Sequence, residues 1–325
     1  MRFRDGLLGT GRVATIAFVV AGAAYGPGAT FAHGSRGEGG QAAVQFAVEV
    51  PLLDCDGTPC VEARVGNGKA TRWGIDTGNV DSVVDAKVAE EVGLKASQPP
   101  KAGAPSGMFR TAMPVVHIGG LALANVAALG MDLSEMISQK QMPHVAGTLA
   151  YPAFKDRVVQ LDFAAHKMRI SEVLTAPLAC SGACDKISLI TFGKEGPPIV
   201  VAEGFEINGE SVSAQVDTMY TGSLLVYTAS IEKLSLSGVA KTSDVRFFAL
   251  TDGGVDMKEA PAQKEGFRGT TLVKDGAKVY FPTENVHEPD GLFDATVGLE
   301  LFRDAVVTLN FHDMTIAVQK VAKPA

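Results

Sequence analysis

From Val44 onwards apolar and polar residues alternate through most of the chain, the spacing of half-buried strands joined by glycine-rich turns. VEARVGNGKATRWGI, Val61 to Ile75, and FEINGESVSAQV, Phe205 to Val216, each read as two strands folded about a turn. Asn208-Gly209 in the second is a strong hairpin signal. PVVHIGGLALANVAAL, Pro114 to Leu129, and more weakly TTLVKDGAKVYF, Thr270 to Phe281, add further strands. Two stretches carry short helical spacing instead: SVVDAKVAEEVGL, Ser82 to Leu94, with Gly93 as its stop, and YTASIEKLSL, Tyr227 to Leu236. Strands dominate, so the expected fold class is mainly β.

The pattern occurs twice. VVQLDFAAHKMRI, from Val158, matches VVTLNFHDMTIAV, from Val306. Phe154-Lys-Asp ahead of the first aligns with Phe302-Arg-Asp ahead of the second, 148 positions on. Asp76-Thr77 and Asp217-Thr218 are 141 positions apart, and a drift of only seven residues points to a duplication with small insertions. In each copy a hairpin leads into the Asp-Thr turn, a short helix follows, and a Val-Val strand closes the unit. The expected organisation is two similar β-barrel lobes, 44–173 and 187–325, about a pseudo-twofold axis with a cleft between them. A linker of small and turn residues, 174–186, joins the lobes.

The first 43 residues stand apart. Three arginines precede about a dozen apolar residues, VATIAFVVAGAA, the length of a signal-peptide core and too short to span a bilayer. Gly26 and Pro27 break the run and GATFAHG offers cleavage after Ala32, so 1–32 reads as a signal peptide, with an uncleaved anchor as the rival. Residues 33–43 read as a flexible leader. The expected location is secreted or periplasmic, with no membrane attachment after cleavage. The four cysteines fit export: Cys55 with Cys60 and Cys180 with Cys184 bracket short turns. In an oxidising compartment they form local disulfides; cross-pairing or a four-thiolate zinc site are the alternatives.

The chain has 325 residues, 46% hydrophobic and 20% charged, with a net charge of −7, so it can bury a sizeable core. It shows no run of like charge and no basic helix face, which disfavours nucleic acid as a partner. The six histidines (His33, His117, His144, His166, His287 and His312) lack zinc-binding spacing, and no metal or other cofactor is expected. GNGKAT at Gly66 reads as a hairpin turn rather than a phosphate loop, and no GxSxG elbow is present.

Two Asp-Thr turns on two equivalent half-folds define a candidate dyad, Asp76 and Asp217. Two carboxylates about 3 Å apart cannot both ionise, so they share a proton. The ionised one can deprotonate a water while the protonated one polarises a carbonyl, which suffices to hydrolyse an amide without metal or covalent intermediate. Thr77 and Thr218 can lock the turns, and Gly78 and Gly222 permit close approach. Trp73, Met219 and Tyr220 are candidates for lining the substrate site, with core packing as the other reading. PSGMFRTAMP, Pro105 to Pro114, and DVRFFALTDGG, Asp244 to Gly254, are candidate flaps over the cleft.

IDTGNVDSVV together with TLAYPAFKDRVVQLDF resembles the aspartic peptidases, in particular the bacterial retropepsin-like aspartyl proteases. The resemblance covers Val44 to Val318. It implies a two-lobed, pepsin-like arrangement in one polypeptide, with Asp76 and Asp217 as the catalytic pair and Thr77 and Thr218 as the paired threonines. An exported, monomeric endopeptidase acting on extended polypeptide is the expected function, working best at mildly acidic pH. The sequence departs from the family at Met219, where the second motif has glycine, and at Ala150, where the later apolar-Gly element has alanine. Met219 could crowd the dyad, and the alternative is an inactive relative that binds peptides or a partner protein in the same cleft.

Overall fold

A computed structural model describes residues 44–79, 81–97, 107–138, 142–178, 180, 183–191, 198–236, 240–249, 252–282 and 292–321. Residues 1–43, expected to be signal peptide and leader, lie outside the described residues. Two barrel-like sheets are joined by a shared sheet, and the two barrels have the same strand order. In the first, Thr58–Val65 pairs with Thr71–Ile75, then come Gly147–Leu149, Ser82–Asp85, Leu121–Met131 and Phe109–Ile118, which returns to Thr58–Val65. In the second, Pro198–Ile207, Glu210–Val216, Ala295–Val297, Leu224–Val226, Thr270–Pro282 and Asp252–Phe267 close in the same sequence. Parallel and antiparallel pairings also correspond: Thr71–Ile75 beside Gly147–Leu149 and Glu210–Val216 beside Ala295–Val297 are both parallel. The mainly β class expected from the alternation and the two lobes expected from the repeat are therefore present.

The shared sheet has six strands in the order Phe46–Pro51, Lys167–Ser171, Val158–Asp162, Ala305–Asn310, Thr315–Lys320 and Cys184–Thr191. At its centre the two Val-Val strands lie antiparallel: Gln160 faces Thr308, Val159 faces Leu309, and Leu161 faces Val307. Gln160 and Thr308 are themselves 148 positions apart, so the pseudo-twofold axis runs through this pair, and the Gln160 amide donates to the Thr308 hydroxyl at 3.1 Å. The sheet buries the closing strands of both halves, which is why Val159, Leu161, Val307 and Leu309 lose almost all their exposure.

Several expectations need correction. The linker expected over 174–186 ends inside a strand: Cys184, Asp185 and Lys186 pair with Ala317, Ile316 and Thr315, and the same strand then crosses into the second barrel. The helix expected over Ser82–Leu94 forms only at Ala86–Glu91, capped by the Asp85 carboxylate on the Lys87 amide. Ser82–Asp85 is a strand because its two valines are buried between neighbouring strands. Gly93 ends the helix with φ +70. Of the expected first flap, Pro105 and Ser106 lie outside the described residues, and Phe109–Pro114 belongs to a strand that closes the first barrel. The second falls on a hairpin, Lys241–Ala249 against Asp252–Phe267, whose turn lies outside the described residues. Each cysteine pairs with its near neighbour, Cys55 with Cys60 and Cys180 with Cys184, at Cα separations of 5.9 and 6.3 Å.

Candidate active site

Both Asp-Thr turns begin where a barrel strand ends. Asp76 follows Thr71–Ile75 and its N–H donates to the Leu149 carbonyl at 2.9 Å; Asp217 follows Glu210–Val216 and its N–H donates to Val297 at 2.9 Å. The backbone thus delivers each carboxylate from an equivalent place, at the end of a parallel strand pair.

The threonines join the turns across the axis. The Thr77 hydroxyl donates to the Val216 carbonyl at 2.7 Å and accepts from the Thr218 N–H at 3.2 Å. Reciprocally, the Thr218 hydroxyl donates to the Ile75 carbonyl and accepts from the Thr77 N–H at 3.1 Å. The residues of this interlock are buried, and each of these groups is bonded to the opposite lobe.

The interlock brings the carboxylates together. A Cβ on Gly78 would stand 2.7 Å from Asp217 Cγ and 3.1 Å from its Cα, so only glycine fits there. Asp76 and Asp217 are 2% and 1% exposed. Asp217 Oδ1 accepts from the N–H groups of Met219 at 2.8 Å and Tyr220 at 3.2 Å. Asp76 accepts from the backbone of Gly78 and Asn79 and has the Asn79 side chain beside it, while its Oδ2 has no hydrogen-bond partner among the described residues. Burial pushes Asp76 up to about 7 against those donors. Burial, and then the charge of Asp76, push Asp217 well above the ordinary carboxylate range.

Met219 leaves this geometry intact. Its N–H still serves Asp217, and its side chain turns into the first lobe, where its Sδ would lie 3.2 Å from a Cβ on Gly74. Gly74 leaves the room that the methionine fills. Ala150 is equally well accommodated: its φ and ψ are −118 and −169, against −123 and −172 at Gly298, and any residue adopts them. Glycine is required only at Gly298, where a Cβ would run into the Tyr220 ring and the Tyr220 and Gly222 carbonyls.

Trp73, Met219 and Tyr220 are buried and present no surface to a substrate in this structure. The Trp73 ring lies against Gly147 and its indole N–H donates to the Thr71 hydroxyl at 2.9 Å. Tyr220 packs with Leu225, Met257 and Tyr280 and stands over Gly222. Gly222 therefore supports the turn by admitting that ring. Two residues escaped the sequence reading. Asn79 follows the motif and reaches Asp76. Gln215, two residues before Asp217, sends Nε2 across the axis to the Gly78 carbonyl at 2.7 Å. The signal for Gln215 was a long amide in a strand end whose neighbours, Ala214 and Val216, are apolar and buried. Among the described residues, no cluster of histidine, cysteine and acidic side chains could hold a metal ion.

No family model matches the chain, and no curated protein matches it. Among solved structures it is similar to the aspartic proteinase from Irpex lacteus, at 11% identity and a TM-score of 0.44, over 85% of this chain and 97% of that one. A likeness at that level carries no functional weight, and the assignment rests on the two turns.

Proposed function

We infer that the chain is an aspartic-type endopeptidase in which Asp76 and Asp217 share one proton. The observation that supports this best is the reciprocal Thr77–Thr218 interlock, which ties together the two turns that carry the buried carboxylates. Like charges so placed resist double ionisation, so the pair keeps a proton at pH values where isolated carboxylates have lost theirs. The ionised partner takes a proton from water as the water attacks the peptide carbonyl. The protonated partner donates to the carbonyl oxygen as negative charge develops there. Proton transfer to the amine then lets it leave, with the dyad returned to its starting state. Extended polypeptide bound by strand-like hydrogen bonds is the substrate, one chain supplies both turns, and the paired cysteines favour an oxidising compartment.

One observation favours a second reading, a cleft that binds peptide without cutting it: both carboxylates are almost fully covered. Incubation of the mature protein with an unfolded polypeptide across pH 3 to 7, beside Asp76→Asn and Asp217→Asn, separates the two. Cleavage that both substitutions abolish is the expected result. A folded protein that cleaves at no pH leaves the binding reading.

A further inference from the structure

The two turns differ in what the opposite lobe sends to them. The Gly78 carbonyl and the Asn79 N–H belong to one planar peptide and point in opposite directions. The N–H end donates to Asp76, and the carbonyl end accepts from Gln215 Nε2 at 2.7 Å. Gln215 is buried and its own orientation is fixed: Oε1 accepts from the Thr296 hydroxyl at 3.2 Å, so Nε2 must face Gly78. The Thr296 oxygen lies 3.0 Å from the Tyr227 hydroxyl, and because the threonine proton is committed to Gln215, tyrosine is the donor. From Tyr227 through Thr296, Gln215 and the Gly78–Asn79 peptide, every bond donates in the direction of Asp76. Aligned in a buried setting, each bond polarises the next. No such chain can run the other way, because Gly74, the first-lobe counterpart of Gln215, has no side chain.

We propose that Gln215 is a positioning residue for Asp76: from the second lobe it holds the Gly78–Asn79 peptide so that its N–H faces that carboxylate, and the Tyr227–Thr296 pair orients it. The relay stabilises the Asp76 anion and has no equivalent at Asp217, which makes Asp76 the partner that carries the charge and Asp217 the one that keeps the proton. The word positioning rests on the peptidase reading, whereas the effect on Asp76 can be measured without it. Asp217 is the titratable group facing Asp76, and it is unchanged in the variants that test the idea.

The test is a carboxyl 13C titration of aspartate-labelled protein, with the Asp76 resonance identified by its loss in Asp76→Asn. In Gln215→Met the Asp76 midpoint is expected to rise by about half a pH unit or more, and in Thr296→Val by less, while surface aspartates stay put. Peptidase assays on the same samples should show the acidic limb of kcat/KM moving up with the midpoint. A merely structural role for Gln215 would lower stability and leave both midpoint and limb in place. An Asp76 midpoint unchanged to within about 0.2 pH units in the folded variants overturns the proposal. If Gln215→Met does not fold, Thr296→Val decides on the same criterion. Absence of cleavage by the unmodified protein would remove the peptidase reading while the titration still settles the role of Gln215.

Discussion

Glu265 offers a direct measure of what burial does to a carboxyl in this fold. It faces inward from Asp252–Phe267, opposite Val273, and is wholly buried. The Ser223 hydroxyl donates to Oε2, whereas Oε1 has no hydrogen-bond partner among the described residues. Burial raises the group from 4.5 to about 7; Glu300 adds to the rise and Ser223 opposes it. Because the folded value lies above the unfolded one, protonation favours the folded state. The contribution is complete below about pH 4.5 and is lost as pH rises through about 7. A difference of about 2.5 pH units corresponds to about 3 kcal/mol between those limits. Glu265→Gln keeps the shape and the acceptor for Ser223 but cannot ionise. Its amide N–H groups lack a partner where Oε1 stood, which costs about 1 kcal/mol. The variant should therefore be more stable than the unmodified protein by about 2 kcal/mol at pH 8, and equal or up to about 1 kcal/mol less stable at pH 4.5. Urea unfolding followed by far-ultraviolet circular dichroism at several pH values between 4.5 and 8 measures this. The dyad titrates in both proteins and cancels in the difference. A stability difference that does not change with pH would refute the reasoning.

The dyad obeys the same sign rule: with Asp76 near 7, Asp76→Asn should raise the melting temperature at pH 8 and give no gain at pH 4, read from thermal scans at both values. Thr77→Val strands the Thr218 N–H and the Val216 carbonyl in a dry site, so a loss of about 2–3 kcal/mol is expected in the urea midpoint, together with a fall in cleavage. Gly298→Ala drives a Cβ into the Tyr220 ring and should cost about 2 kcal/mol or more, whereas Ala150→Gly, at matching φ and ψ, should cost no more than about 1 kcal/mol. Met219→Gly restores the motif glycine yet empties the space beside Gly74, so parallel denaturation curves should show a loss of about 3 kcal/mol.

Period-two alternation made strands legible where one face alone is buried, as in Phe109–Ile118, whereas Gly147–Leu149 and Ala295–Val297, buried on both faces, carry no such signal. The repeat made the two-lobed plan legible, and the Gln160–Thr308 pairing lies at the offset that the aligned Phe-x-Asp motifs give. The Asp-Thr pairs were legible because a carboxylate and then a hydroxyl follow a buried strand in both copies, even though the third position is glycine in one and Met219 in the other. Apolar spacing misled at Ser82–Asp85, where two buried valines suit a strand or a helix and only the neighbouring strands decide. The linker end misled because Cys184–Lys186 joins its sheet through partners more than a hundred residues away. For Trp73 and Tyr220 the sequence left core packing and substrate contact both open, because the glycines that receive their rings, Gly147 and Gly222, announce nothing in sequence about what they receive.

Met219 and Gln215 are departures from symmetry that make sense only as a set. Taken singly, a methionine in place of the motif glycine threatens the dyad, and an amide two residues before a catalytic-type aspartate looks like a polar intrusion into a strand. At the corresponding first-lobe positions stand two glycines, Gly78 and Gly74. Met219 lies on Gly74 and Gln215 bonds to the Gly78 carbonyl, so each large residue of the second turn is received by a glycine of the first. A perfectly symmetric pair would have either four glycines and a void or four large side chains and a clash. Dividing them as two and two fills the axis and leaves the backbone donors to both carboxylates in place. It also means that the two carboxylates cannot be electrostatically equivalent, because only the Gly78–Asn79 peptide is gripped by an amide from across the axis. Unequal carboxylates suit a reaction in which one partner must accept a proton while the other donates one.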